Sequence, residues 1–145
     1  METPANMQPL RYGCDHLGRL THAMLHRPGR ALELIDHRNH DWWLFDEAPD
    51  VSRFIDEHDG YRELLEKHGV TVMELGEHLV DNQEMLDRLP NLTYLHDTAV
   101  VSRHGALLSA MAGPARRGEE QVVGQALRNL GLRILTEFGE GDAFE

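Results

Sequence analysis

LPNLTYLHDTAVVSRHGALLSAMAGPARR, residues 89–117, is the stretch whose reading decides the fold. Pro90 marks a turn into an apolar run, residues 92–95, and the step His96-Asp97 follows it. A second apolar run, residues 98–101, turns at Arg103-His104-Gly105 into a third, residues 106–111, and the segment closes on Arg116-Arg117. Apolar runs bounded by turn residues predict buried strands. Asp97 at a strand end and Arg116 nineteen residues later are placed to face one pocket. Such a pair suits a ligand that is positive at one end and negative at the other, because buried charges need opposite partners.

Working outward, residues 19–26 predict a strand-like segment that Pro28-Gly29 stops with a turn signal. Residues 31–47 are mixed, most polar and aromatic at His37 to Trp43, and predict irregular or short-helical chain that could form part of a loop over a pocket. Asp50 or Ser52 can cap a helix whose apolar positions are Val51, Phe54, Ile55, Tyr61, Leu64 and Leu65. Gly69 stands where a left-handed C-terminal cap is expected, and residues 70–75 predict a strand. A helical or irregular connector, residues 77–88, leads back to the deciding stretch. After it, Pro114 predicts a helix start, with Val122, Val123, Ala126, Leu127 and Leu130 on one face through residue 130. Gly131 marks that helix's end, and residues 132–135 predict a strand.

Two of these units read alike. Residues 64–72, LLEKHGVTV, parallel residues 126–134, ALRNLGLRI, with the cap glycines Gly69 and Gly131 sixty-two positions apart. Self-similarity at such a period is a sign of modular architecture.

The 145 residues suffice for one domain with a real core. We expect a flexible tail over residues 1–12 and the domain over residues 13–145. An apolar fraction of 41% and a charged fraction of 27% are those of an ordinary soluble globular protein. The net charge of −11 argues against nucleic acid as a partner, since phosphates reward clustered Lys and Arg. It is compatible with a cationic small substrate. No apolar run is long enough to span a bilayer, and residues 1–10 lack the basic and apolar regions of a secretory signal. The single cysteine, Cys14, allows no internal disulfide and reads as structural or incidental. These features together predict a cytoplasmic protein.

Ten histidines warrant a metal check. His22 and His26 fall on one face of a strand-like segment, and His37 and His40 could form half a site. No Cys pair or HExxH pattern accompanies them, so no metal or other cofactor is expected.

The order Pro90-Asn91, then Asp97-Thr98-Ala99-Val100-Val101, then Pro114-Ala115-Arg116-Arg117 resembles the guanidino-group-modifying superfamily of arginine deiminases, dimethylarginine dimethylaminohydrolases and amidinotransferases. Leu25-His26-Arg27-Pro28-Gly29 looks like that family's opening strand and turn, and Leu44-Phe45-Asp46-Glu47 before a helix containing His58-Asp59 also fits. The resemblance touches nearly the whole chain after its tail, but covers only the first half of the family's fold. It implies an α/β, pentein-like architecture: a partial β/α-propeller of ββαβ modules, about two of the five that close a ring. An arc of modules leaves apolar surface and sheet edges uncovered, so the resemblance implies a partner chain carrying the C-terminal half, or a homo-oligomer.

For the site, the resemblance implies that Asp97 holds a substrate guanidinium and Arg116 its α-carboxylate. Asn91 matches a further pocket position. His96 stands where the family commonly has Arg or Glu. Glu140, in the terminal Gly139-Glu140-Gly141-Asp142, matches a second guanidinium carboxylate. The nucleophilic cysteine and the acid–base histidine of the family fall outside this sequence, so no catalytic residue is assigned and the isolated chain is expected to be inactive. The function implied is that of the N-terminal half of an arginine deiminase-like hydrolase or amidinotransferase acting on arginine or a related guanidino compound. The alternative is a non-catalytic guanidino-binding or regulatory subunit, or a truncated relic.

Overall fold

The computed structural model describes residues 12–13 and 18–137. It is an α/β structure with two small sheets. Strand β1, His22–Leu25, pairs in parallel with β2, Thr71–Glu74, and helix α1, Val51–Lys67, connects them. Strands β3, Ala99–Ser102, and β4, Gly105–Leu108, form an antiparallel hairpin; helix α2, Glu119–Asn129, then leads to β5, Ile134–Glu137, parallel to β4. The second unit thus has the order strand, strand, helix, strand. Among the described residues the first shows strand, helix, strand.

Local chemistry explains the element ends. The Asp50 side chain accepts from the Arg53 N–H at 3.0 Å, which fills one of the orphan donors at the start of α1. Both helices end two residues before a glycine of positive φ, 80° at Gly69 and 83° at Gly131, and each returns into a parallel strand. The glycine repeat read from the sequence is therefore a repeat of one helix-stop device.

Two expectations change. Residues 92–95, read as a strand, lie in two 3-10 turns, Pro90–Thr93 and Leu95–Asp97. Pro90 brings no N–H to a ladder, and the Thr98 hydroxyl donates to the Leu95 carbonyl at 2.7 Å, which closes the turn. Pro114 begins only one 3-10 turn, Pro114–Arg116, and α2 starts five residues later behind Gly118, whose φ of 97° breaks the path.

The core gathers around α2. Val122, Val123, Ala126 and Leu127 meet Leu75, Leu79, Leu89, Leu92, Ala106, Leu108 and Leu132. Gly124 lies close against β4: a Cβ built there would stand 2.5 Å from Leu108 Cδ1. By contrast α1 buries none of its residues, and Tyr61 and Leu64 are each 52% exposed. Among the described residues no helix is long and apolar enough to cross a membrane.

Candidate functional site

The site is assembled by backbone first. The Asn91 carbonyl accepts from the Tyr94 N–H at 2.9 Å, and the buried Asn91 side chain donates from Nδ2 to the Trp43 carbonyl at 2.9 Å. That bond ties the 3-10 turn to the loop before α1, next to Leu44, whose φ of 63° is rare for a non-glycine residue. On the other side, Ser109 donates from Oγ to the Asp97 carbonyl at 2.9 Å and from N to the Thr98 carbonyl at 3.0 Å. Asp97 is thereby held at the mouth of the β3–β4 hairpin with its side chain still partly open to solvent.

Arg116 projects from the turn ahead of α2 into the same place and is only 7% exposed. Its Nη1 donates to Asp97 Oδ2 at 2.6 Å. Nε and Nη2 both donate to Glu119 Oε2, at 3.0 and 2.8 Å, and Nη2 also reaches the Tyr94 carbonyl at 3.4 Å. Glu119 is fully buried, and its Oε1 has no partner among the described residues. His96, largely exposed, places Nε2 2.9 Å from the second Asp97 oxygen, Oδ1. Asp97 is thus shared between a buried guanidinium and an exposed imidazole.

The electrostatics follow from burial. Loss of water pushes the Glu119 carboxyl up to about 7, against the pull of the adjacent Arg116. Burial works against the Arg116 charge as well, but the bonds to Glu119 and Asp97 outweigh it and hold its pKa above the ordinary value. Glu119 alone offers Arg116 one buried counter-charge. Asp97 is the second, and the more exposed of the two.

Of the residues singled out in the sequence, Asp97, Arg116 and His96 come together. Asn91 lies one turn away, bonded to Trp43 rather than to that trio. Glu140 and Cys14 lie outside the described residues. Sequence reasoning missed Glu119 and Ser109. The signal for Glu119 was available in the three-residue step from Arg116, a spacing at which opposite charges meet on a helical turn.

The remaining histidines go separate ways. His26 Nδ1 lies 3.2 Å from Glu74 Oε1, His22 bonds its neighbour Thr21, and His40 bonds the Phe45 carbonyl. Among the described residues no group of three or more His, Cys, Asp or Glu is placed to hold a metal ion. A mainly apolar cleft of about 330 Å³ lies between the two sheets, lined by Met24, Met73, Val101, Leu127 and Leu130 among others. It contains neither Asp97 nor Arg116.

No family model matches the chain. Arginine deiminase of Mycolicibacterium gilvum is 43% identical over 70 residues, which make up 48% of this chain and 17% of that protein. Arginine deiminase of Mycobacterium marinum is 46% identical over 67 residues, with 46% and 17% covered. Among solved structures, a dimethylarginine dimethylaminohydrolase in its S-methyl-L-thiocitrulline adduct superposes with a TM-score of 0.61 at 18% identity, over 85% of this chain and 43% of that one. The enzyme of that name from Pseudomonas aeruginosa, in complex with citrulline, gives 0.58 at 19%, over 84% and 42%. The chain matches 17% of the length of these curated relatives and 42–43% of the solved chains. The chain is thus similar in sequence to arginine deiminases over about half its length and in fold to dimethylarginine dimethylaminohydrolases over most of it.

Proposed function

We propose that this chain forms the N-terminal half of a cytoplasmic arginine deiminase-like enzyme, two of five propeller modules in size, that binds arginine or a related guanidino compound. Asp97 receives the guanidinium and Arg116 the carboxylate. The observation that carries this reading is the 2.6 Å bond between those two groups. Without a ligand, the two ends of the site neutralise one another. Arg116 keeps a buried counter-ion in Glu119 when it lets go, and Asp97, being partly exposed, can turn to a planar cation with two oxygens to offer. A zwitterionic guanidino compound replaces one ion pair with two.

Asn91 shapes the wall beside Trp43 and Leu44, His96 tunes the Asp97 oxygen it faces, and Glu140 adds a second carboxylate for the guanidinium. The chemistry belongs to a cysteine thiolate that attacks the guanidinium carbon and a histidine that shuttles protons, both outside this sequence. They are supplied by the remaining modules, in a partner chain or a continuation of this one. The names of the relatives, arginine deiminase and dimethylarginine dimethylaminohydrolase, favour an enzyme over a regulatory subunit.

The test is to purify the chain gently from its own cells, determine the native mass and every co-purifying polypeptide, and assay arginine turnover. A species carrying the remaining modules that turns over arginine, and loses this on Asp97→Ala, supports the reading. A lone monomer of this chain or a homo-oligomer without activity overturns the enzyme and leaves a binding protein.

A further inference from the structure

The Arg116 guanidinium has five N–H donors, and their partners can be counted. Nε and one Nη2 hydrogen go to Glu119, the other Nη2 hydrogen faces the Tyr94 carbonyl, and one Nη1 hydrogen goes to Asp97. Among the described residues one donor is left, also on Nη1. The edge that could grip a carboxylate through Nε and Nη2 is therefore already taken, by a residue with no exposed surface.

We propose that Glu119 is the positioning residue of this site: it clamps the Nε–Nη2 edge so that Arg116 presents only Nη1 to a ligand, and it thereby selects guanidino compounds that carry a carboxylate. This rests on the reading of Asp97 and Arg116 given above. Three features support it. Glu119 and Arg116 belong to consecutive segments three residues apart, so the clamp travels with the arginine. The Glu119 oxygen Oε1 is buried without a partner among the described residues, although Oε2 takes two bonds, an arrangement that sacrifices one acceptor to hold the guanidinium edge-on. Finally, Asp97 is bonded through Nη1 alone, at the donor group where the spare hydrogen also lies. A ligand carboxylate arriving at Nη1 takes the spare donor first and the Asp97 bond second. Asp97 is then released as the ligand arrives, and Arg116 does not move.

The same geometry defines what Glu119 does not do. It is buried behind Arg116 and takes no part in holding a guanidinium at Asp97. Its loss should weaken a ligand with a carboxylate and spare one without.

The experiment compares arginine with its decarboxylated analogue, agmatine, by calorimetric titration of the full chain together with the modules that co-purify with it. Wild type and Glu119→Gln are run side by side, with the Arg116 Nε–H resonance followed by NMR in the absence of ligand. Glu119→Gln is expected to lower arginine affinity by about tenfold or more while leaving agmatine within about twofold, and to shift the Nε–H resonance. Should that variant not fold, Glu119→Asp, which keeps the charge at shorter reach, carries the same comparison. An equal loss for both ligands, or an unshifted Nε–H resonance, overturns the proposal. Wild type that binds neither ligand, with the resonance shift intact, leaves the clamp standing and overturns the substrate reading instead.

Discussion

The two α-helices among the described residues stop in the same way and pack in opposite ways. Helix α1 leaves every residue at least partly exposed, whereas α2 buries Glu119, Val122, Val123, Gly124, Ala126 and Leu127. Each has a glycine in its middle. At Gly124 an added Cβ would run into Leu108, and at Gly60 it would meet nothing within 4 Å. The difference teaches where the chain is self-sufficient. The second unit closes a core and fixes the charged site on it, while the first lays a sheet edge and an apolar helix face open.

The largest contrast should come from removing an arginine in each unit. Arg116→Ala leaves the buried Glu119 carboxyl without its partner, and breaking a buried pair costs about 3–5 kcal/mol. Arg53→Ala on α1, whose partner Glu57 is exposed, should leave the urea midpoint unchanged. Equal effects would erase the distinction between the two units.

Leucines make the next test. Leu127→Ala should cost about 2–5 kcal/mol in equilibrium unfolding, the range for a buried leucine. Leu64→Ala on α1, at a leucine 52% exposed, should stay within about 0.5 kcal/mol. A large loss at Leu64 would mean that another surface covers α1.

The glycines sharpen this further. Gly124→Ala overpacks α2 against Leu108 and should destabilise by about 1–3 kcal/mol, whereas Gly60→Ala should stabilise by about 0.5–1 kcal/mol through helix propensity. Opposite signs in thermal unfolding are the expected outcome.

A last contrast is a pair of pH slopes. Burial raises Glu119 to about 7, so the folded state keeps a proton that the unfolded chain loses near 4.5. The stability due to Glu119 is therefore lost as pH rises from about 4.5 to about 7. Glu74, at the end of β2, behaves in the other direction. Burial raises it, but the His26 ring, the Arg27 amide and nearby positive charge together pull it below its ordinary value. Its contribution is present above the ordinary carboxylate range and is lost as pH falls through the lowered value. Urea midpoints across this range should lose the first slope in Glu119→Gln and the second in Glu74→Gln.

How much of this the sequence reveals depends on whether the deciding forces are local. The Asp50 cap, the Gly69 and Gly131 stops and the β3–β4 hairpin rest on neighbouring residues, and all can be read in advance. The turns at residues 90–97 are only half legible: local bonds such as Thr98 to the Leu95 carbonyl close them, but the bonds that anchor them run to Trp43 and Ser109, distant in sequence. In the site, Asp97 and Arg116 stand out because a motif surrounds them. Glu119 escapes because an acid in a helix's first turn already has an ordinary explanation in the helix dipole. Only its burial marks it as Arg116's partner. That Asp97 and Arg116 bond each other, rather than flanking an open pocket, follows from the tertiary approach of the hairpin to the α2 start.

The most direct test of the central claim is to titrate arginine into the protein, purified with whatever modules accompany it, while observing the Arg116 side chain. The account predicts a saturable shift of the Arg116 Nη resonances as the ligand displaces Asp97, absent in Asp97→Ala, where the guanidinium end has no holder. An Arg116 signal that stays unchanged at millimolar arginine, with the Asp97 pair intact, would mean that this bond is part of the scaffold and that the site lies elsewhere.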